Sequence, residues 1–161
     1  MATGTEPVSL GVDPIHIITV LSSTETLSIA DTDISAGETP ADNAGILPAY
    51  LQYTTITDGT ATYKITAELG STDVLPAGTE LQLITTPGTT TTAGDQGTGV
   101  IATAISATAV DIVTAIPSCN TGTTTTSGAM VEHVLHIKTL ASLVTTAAAN
   151  VTITYTILDT V

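Results

Sequence analysis

The chain of 161 residues carries 15 acidic side chains against two lysines and no arginine, and its formal net charge is −13. Such a surface cannot neutralise phosphates, which argues against nucleic acid and against anionic membrane surfaces as partners. The hydrophobic fraction of 42% predicts one packed domain rather than a disordered chain. No run approaches the roughly 20 apolar residues that a membrane span needs.

The first predicted element is a short apolar strand near the N-terminus. In the sequence PVSLGV, residues Val8, Leu10 and Val12 alternate with small residues, which is typical of a strand with one apolar face. Asp13-Pro14 then separates this strand from the next apolar run. We therefore predict an N-terminal arm at 1–13 and a domain at 14–161. The arm is either a strand of its own sheet or a strand for another molecule.

Alternation with a period of two is the main signal in the rest of the chain. In ATYKITAEL, residues 61–69, and NVTITYTIL, residues 150–158, apolar side chains alternate with Thr, Lys, Glu or Asn. This pattern predicts half-buried antiparallel strands. Weaker strands of the same kind are predicted at 15–21, 26–30, 50–56, 81–85, 100–106, 110–116 and 131–138. Their spacing and the Gly, Pro and Asp residues between them indicate a β-sandwich or β-barrel.

Two long segments lack this periodicity. Residues 85–99 and 117–130 combine Thr runs with Gly and are predicted to be exposed connections. The second segment contains Cys119, the only cysteine, so an intramolecular disulfide is impossible. Cys119 is then either a buried small hydrophobe or an exposed thiol able to pair between chains.

An acidic segment offers a candidate calcium site. Asp31, Asp33, Glu38 and Asp42 lie close together in an irregular stretch. Calcium takes several oxygen ligands, and two carboxylates in D-x-D spacing with backbone carbonyls can supply them. The alternative is a solvated acidic loop. We predict no other cofactor.

Catalytic chemistry is not indicated. His133 and His136 would point to opposite faces of one strand, and no histidine, including His16, lies near a Ser or Cys motif. We predict that the protein is not an enzyme. Asn150 begins an N-x-T sequon, which predicts a candidate glycosylation site.

Edge strands of a Val- and Thr-rich sheet expose unpaired backbone groups that invite pairing with another chain. The arm would complement such an edge, with Val8, Leu10 and Val12 filling successive pockets. A head-to-tail contact of this kind does not close on itself and therefore builds filaments.

The order of four segments resembles a known group of proteins. VSLGVDPIHIITV, ETLSIADTDISAG, YLQYTTITDGTATYKITAEL…LPAGTELQLI and NVTITYTILD are similar to secreted prokaryotic Ig-like β-sandwich subunits, namely spore-coat-U-like, fimbrial and matrix-filament proteins. The resemblance implies an Ig-like antiparallel β-sandwich of about seven to nine strands. It also implies an extracellular or cell-surface filament or pilus, whose subunits donate an N-terminal strand to other copies of themselves.

The donor residues implied by this resemblance are Val8, Leu10 and Val12, continuing through Ile15 and Ile17. The alternative function is a monomeric surface adhesin or carbohydrate-binding module that uses the Thr/Gly loops as its ligand face. Such a module usually stacks sugars on exposed aromatic rings, and this chain has four Tyr, no Trp and no Phe.

Overall fold

A computed structural model describes residues 9, 11–22, 24–30, 34–88, 94–147 and 149–160. Over these residues the regular secondary structure is almost entirely β-strand, and the exception is a 3₁₀ helix at Leu140–Ser142. The strands are β1 (Ile15–Leu21), β2 (Asn43–Ala44), β3 (Ala49–Ile56), β4 (Thr62–Leu69), β5 (Thr79–Thr86), β6 (Thr98–Gly99), β7 (Thr103–Ile105), β8 (Val110–Ile116), β9 (Cys119–Asn120), β10 (Ala129–Ile137) and β11 (Ile153–Thr160).

These strands form two antiparallel sheets that enclose one core. Sheet A has the order β1-β3-β10-β5-β7, with β2 added beside β10 and β9 beside β3. Sheet B has the order β11-β4-β8-β6. The all-β sandwich predicted from the sequence is confirmed. Within the described ranges, eight strands have three or more residues, inside the expected range, and β2, β6 and β9 have two each.

The core confirms the predicted apolar faces. Leu51 and Tyr53 of β3 are buried against Ile65 and Ala67 of β4, so the alternating residues of both sheets meet between them. The prediction is wrong for Thr66, which lies on the expected solvent face of β4 but is buried. As part of β4, it lies between β8 and β11, and its hydroxyl donates to the Thr156 carbonyl at 3.4 Å.

The prediction of a strand at 26–30 is wrong. This segment pairs with no strand, although Leu27 packs against the core. Its path is held by the Glu25 carboxylate, which accepts the Leu47 N–H at 2.7 Å and contacts His133 Nδ1 at 3.3 Å. Side-chain anchoring to distant residues therefore replaces the backbone ladder that the local pattern suggested.

A β-bulge in β8 shapes the middle of sheet B. Tyr63 pairs with Ile116 and Ile65 with Val113, so two residues of β8 lie opposite one residue of β4. Ala115, in the bulge, has a positive φ of 54°. The extra residue changes the side-chain alternation, which allows both Val113 and Ile116 to be fully buried.

Candidate strand-acceptor side and N-terminal arm

The two sheets end on one side of the sandwich in β1 and β11. Strand β1 pairs with β3 from Ile15 to Leu21, and β11 pairs with β4 from Ile153 to Thr160. In the part of the chain that the structure describes, neither strand has a partner along its outer edge. We call this side, formed by β1 and β11, the open side. Backbone groups along these outer edges are unpaired in the described sheets, as in other edge strands, and β1 and β11 lie close to each other across this side.

The His16 ring connects β1 to β4 of sheet B at one end of the open side. Its centroid lies 5.4 Å from that of Tyr63, which belongs to sheet B. Tyr63 is paired with Asp159 of β11. The start of β1 and the end of β11 therefore lie at the same end of the sandwich, and the arm joins the domain there.

The inner face of β1 is incompletely covered at Val20. Val20 lies opposite Leu51, which is fully buried, yet Val20 itself is 40% exposed. On β11, which packs beside β1, the Tyr155 hydroxyl is buried and has no hydrogen-bond partner among the described residues, and burial raises the pKa of this phenol above its ordinary value. An apolar side chain that faces the core but stays exposed is a candidate contact site for another segment.

The described residues of the arm contribute nothing to either sheet. Ser9 and residues 11–14 are exposed and lie outside the strands. Val12 is 78% exposed, and a Cβ built on Gly11 would meet no atom within 4 Å. Val8 and Leu10, the other predicted donor residues, lie outside the described residues.

Ile15 and Ile17 belong to the chain's own sheet. They pair with Ile56 and Thr54 of β3, and their side chains are on the outer face, 36% and 61% exposed. The apolar segment that precedes β1 in the sequence is then 7–12, which as an extended strand would span about 20 Å at ~3.3 Å per residue. That length matches β1, with seven residues, and β11, with eight.

The predicted calcium ligands are not assembled by the described residues. Asp42 accepts from His136 Nδ1 at 2.7 Å and from the Ile137 N–H at 2.8 Å, while Glu38 accepts the Ser35 N–H at 2.9 Å. Asp31 and Asp33 lie outside the described residues, so the calcium site stays a prediction. Among the residues that are described, no group of three or more His, Cys, Asp or Glu side chains is placed to hold a metal ion.

The contacts of Asp42 make a pH-dependent contribution to stability. The Ile137 N–H and then the His136 ring lower its pKa below the ordinary value of 3.8. A lowered carboxyl pKa contributes stability that is complete above the unfolded value and lost as the pH falls through the native value. We expect Asp42→Asn to cost about 0.5–1 kcal/mol at pH 6, discounted for solvent screening of this exposed group, and less at pH 2.

Urea unfolding at both pH values measures this difference. Asp13→Asn is the matched control, because Asp13 is exposed in the arm and outside both sheets. An equal loss of stability at both pH values would contradict the assigned role of the carboxylate charge.

The two predicted loops are only partly exposed. Cys119 is 7% exposed, and its Sγ lies 3.4 Å from the Thr55 hydroxyl, which identifies it as a buried thiol. Burial raises the pKa of this thiol.

Asn150 is exposed just before β11, as a glycosylated asparagine must be, but its modification stays a prediction.

The same loops meet over the outer face of sheet A. Between them lies a pocket of about 320 Å³. Its lining carries no charge and includes Tyr50, Thr86, Gln96, Ser127 and Met130.

The sequence patterns did not single out Val20, Tyr155 or Glu25. Val20 and Tyr155 have the alternation of ordinary core residues, and no local signal shows that Val20 stays 40% exposed or that the Tyr155 hydroxyl is buried. Glu25 stands alone in the sequence, and its partners His133 and Leu47 are distant along the chain.

No family model matches the chain, and neither a curated protein nor a solved structure matches it. In the described part of the chain, no helix is long and apolar enough to cross a membrane.

Proposed function

We propose that this protein is a structural subunit of an extracellular filament, assembled when residues 7–12 of one copy add a strand to the open side of the next. The observation that carries the proposal is the exposure of the described part of the arm, Ser9 and residues 11–13. Val12 is 78% exposed beside a sandwich whose β1 and β11 edges have no described partner. An apolar strand and an unpaired edge are the two halves of a strand-addition contact.

The chemistry of segment 7–12 and of the β1 and β11 edges supports this pairing. Main-chain hydrogen bonds from the arm would satisfy the unpaired groups of an edge strand. Alternate side chains would cover Val20, which faces the core but is 40% exposed. The arm between Pro7 and Val12 has no charged residue, so its burial requires no carboxylate to be desolvated.

Disulfide trapping between two variant chains tests this contact. We expect Leu10→Cys, carried on an epitope-tagged chain, to form a covalent dimer with a Val20→Cys chain. A disulfide needs Cα atoms about 4.4–6.8 Å apart and therefore reports close approach. The native Cys119 is 7% exposed and does not compete. The readout is the mixed dimer on a non-reducing gel.

The matched control is Ile101→Cys, which is 83% exposed in the connection from β6 to β7. Strands β6 and β7 lie at the ends of the two sheets away from β11 and β1. Equal trapping by Ile101→Cys and Val20→Cys, or none by Val20→Cys, would contradict strand addition at the open side.

A monomeric carbohydrate-binding module has less support. The pocket between the loops has one aromatic ring, Tyr50, to stack against a sugar. Particle size separates the two functions, because a filament subunit forms polymers and a binding module of this kind is monomeric.

A further inference from the structure

The outer faces of the two sheets differ in chemistry. On sheet B, the outward positions of β4 and β11 are five threonines, Lys64, Glu68 and Leu158, the composition of a solvated face. On sheet A, the outward positions of β1 and β3 carry no charge, and five of the eight are large and apolar or aromatic. These eight positions, here called the β1–β3 face, are Ile15, Ile17, Thr19, Leu21, Tyr50, Gln52, Thr54 and Ile56.

The orientation of the β1–β3 face follows from the strand register. Ile18 and Val20 pair with the buried residues Tyr53 and Leu51, so this set points into the sandwich. The alternate residues Ile15 and Ile17 therefore point away from the core. Ile17 is 61% exposed, so the described elements of the chain leave it uncovered. Residues 124–127 lie over the β3 side of this face, next to Tyr50 and Gln52.

Charge indicates what covers this face. Both lysines are already near carboxylates elsewhere, Lys64 at 2.9 Å from Asp111 and Lys138 at 3.5 Å from Glu80. With a net charge of −13, two copies repel each other wherever their acidic surfaces meet. A basic partner would be drawn to those acidic surfaces and gain nothing from a neutral one. A neutral apolar face in such a chain fits a second copy of the same chain.

We infer that two copies associate through their β1–β3 faces, sheet against sheet, about a two-fold axis. The same patch then lies on both sides of the contact, and Ile17 of each copy is buried in it. The contact closes on itself and does not involve residues 7–12. It is therefore separate from strand donation, which uses the edges and inner faces of β1 and β11.

The test uses the full-length Leu10→Asp chain, in which strand donation is blocked, and measures dimerisation by sedimentation equilibrium over a concentration series. We expect a reversible dimer that tightens with added salt, because salt screens repulsion between the acidic surfaces. Adding Ile17→Glu should weaken the dimer at least about tenfold, because each dimer then buries two unpaired carboxylates.

Thr156→Glu is the matched control, since it places the same charge on the outer face of sheet B. It should leave the dimer unchanged. Ile17→Thr keeps a β-branched residue without adding charge and should weaken the dimer less than Ile17→Glu. Circular dichroism checks that each chain is folded.

A monomer at every concentration, or equal weakening by Ile17→Glu and Thr156→Glu, would overturn the inference. Filaments that persist in the Leu10→Asp chain would instead count against strand donation. In that case lateral association of those filaments, compared between Ile17→Glu and Thr156→Glu, still measures the β1–β3 contact.

Discussion

Replacing Leu10 with aspartate is expected to abolish filaments while leaving the domain folded. Leu10 is the middle apolar residue of PVSLGV, so in a donated strand it would lie under the β1 and β11 edges of the neighbouring copy. A carboxylate buried there without a partner carries a cost of roughly several kcal/mol per contact. Because every subunit boundary bears the same cost, polymer length should collapse. Negative-stain electron microscopy and size-exclusion chromatography measure the result.

Ser9→Asp is the matched control for this prediction. It adds the same charge one residue away, but on the opposite side of an extended strand, where Ser9 would face solvent. Filaments should therefore form with Ser9→Asp. Normal filaments with Leu10→Asp would remove the arm from the assembly mechanism.

Gly128→Ala is expected to cause a large loss of stability, roughly 3–5 kcal/mol. Gly128 has a φ of +102°, and a Cβ at this position would overlap the Leu51 carbonyl oxygen in the core strand β3. The strained backbone costs of order 1–3 kcal/mol and the steric overlap a similar amount. Neither β3 nor the start of β10 can move away, because Ala129 pairs directly with Leu51. Urea unfolding gives the change in the free energy of unfolding.

Gly59→Ala separates the two causes. Gly59 has a similar φ of +98°, but a Cβ there would meet no atom within 4 Å. This variant should lose only the backbone part, about 1–2 kcal/mol. If Gly59→Ala and Gly128→Ala were equally destabilising, close approach to Leu51 would not be the reason for glycine at position 128.

The long alternating segments were predictable because their information is local. In ATYKITAEL the apolar residues Tyr63 and Ile65 face one way and Lys64 the other, whatever strand lies beside them. The segment at 26–30 shows the limit of this reasoning. Leu27 reaches the core without a strand partner, because Glu25 anchors the chain to His133 and Leu47. No pattern within a short window contains that contact.

The short strands show the same limit. β2 and β9 have two residues each and exist because their neighbours in sheet A bring them alongside β10 and β3. Cys119 illustrates the consequence, since the sequence left its environment open and its pairing with Thr55 buries it.

Composition and alternation alone were enough to predict an acidic all-β protein with an apolar segment at 7–12 ahead of its main domain. Only the tertiary structure decided which strands are edges, that Val20 is uncovered, and that Ile15 and Ile17 belong to the chain's own sheet. The physical reason is that a side chain's direction along a strand is set by its immediate neighbours. Whether a strand is an edge depends on pairing between residues far apart in the chain.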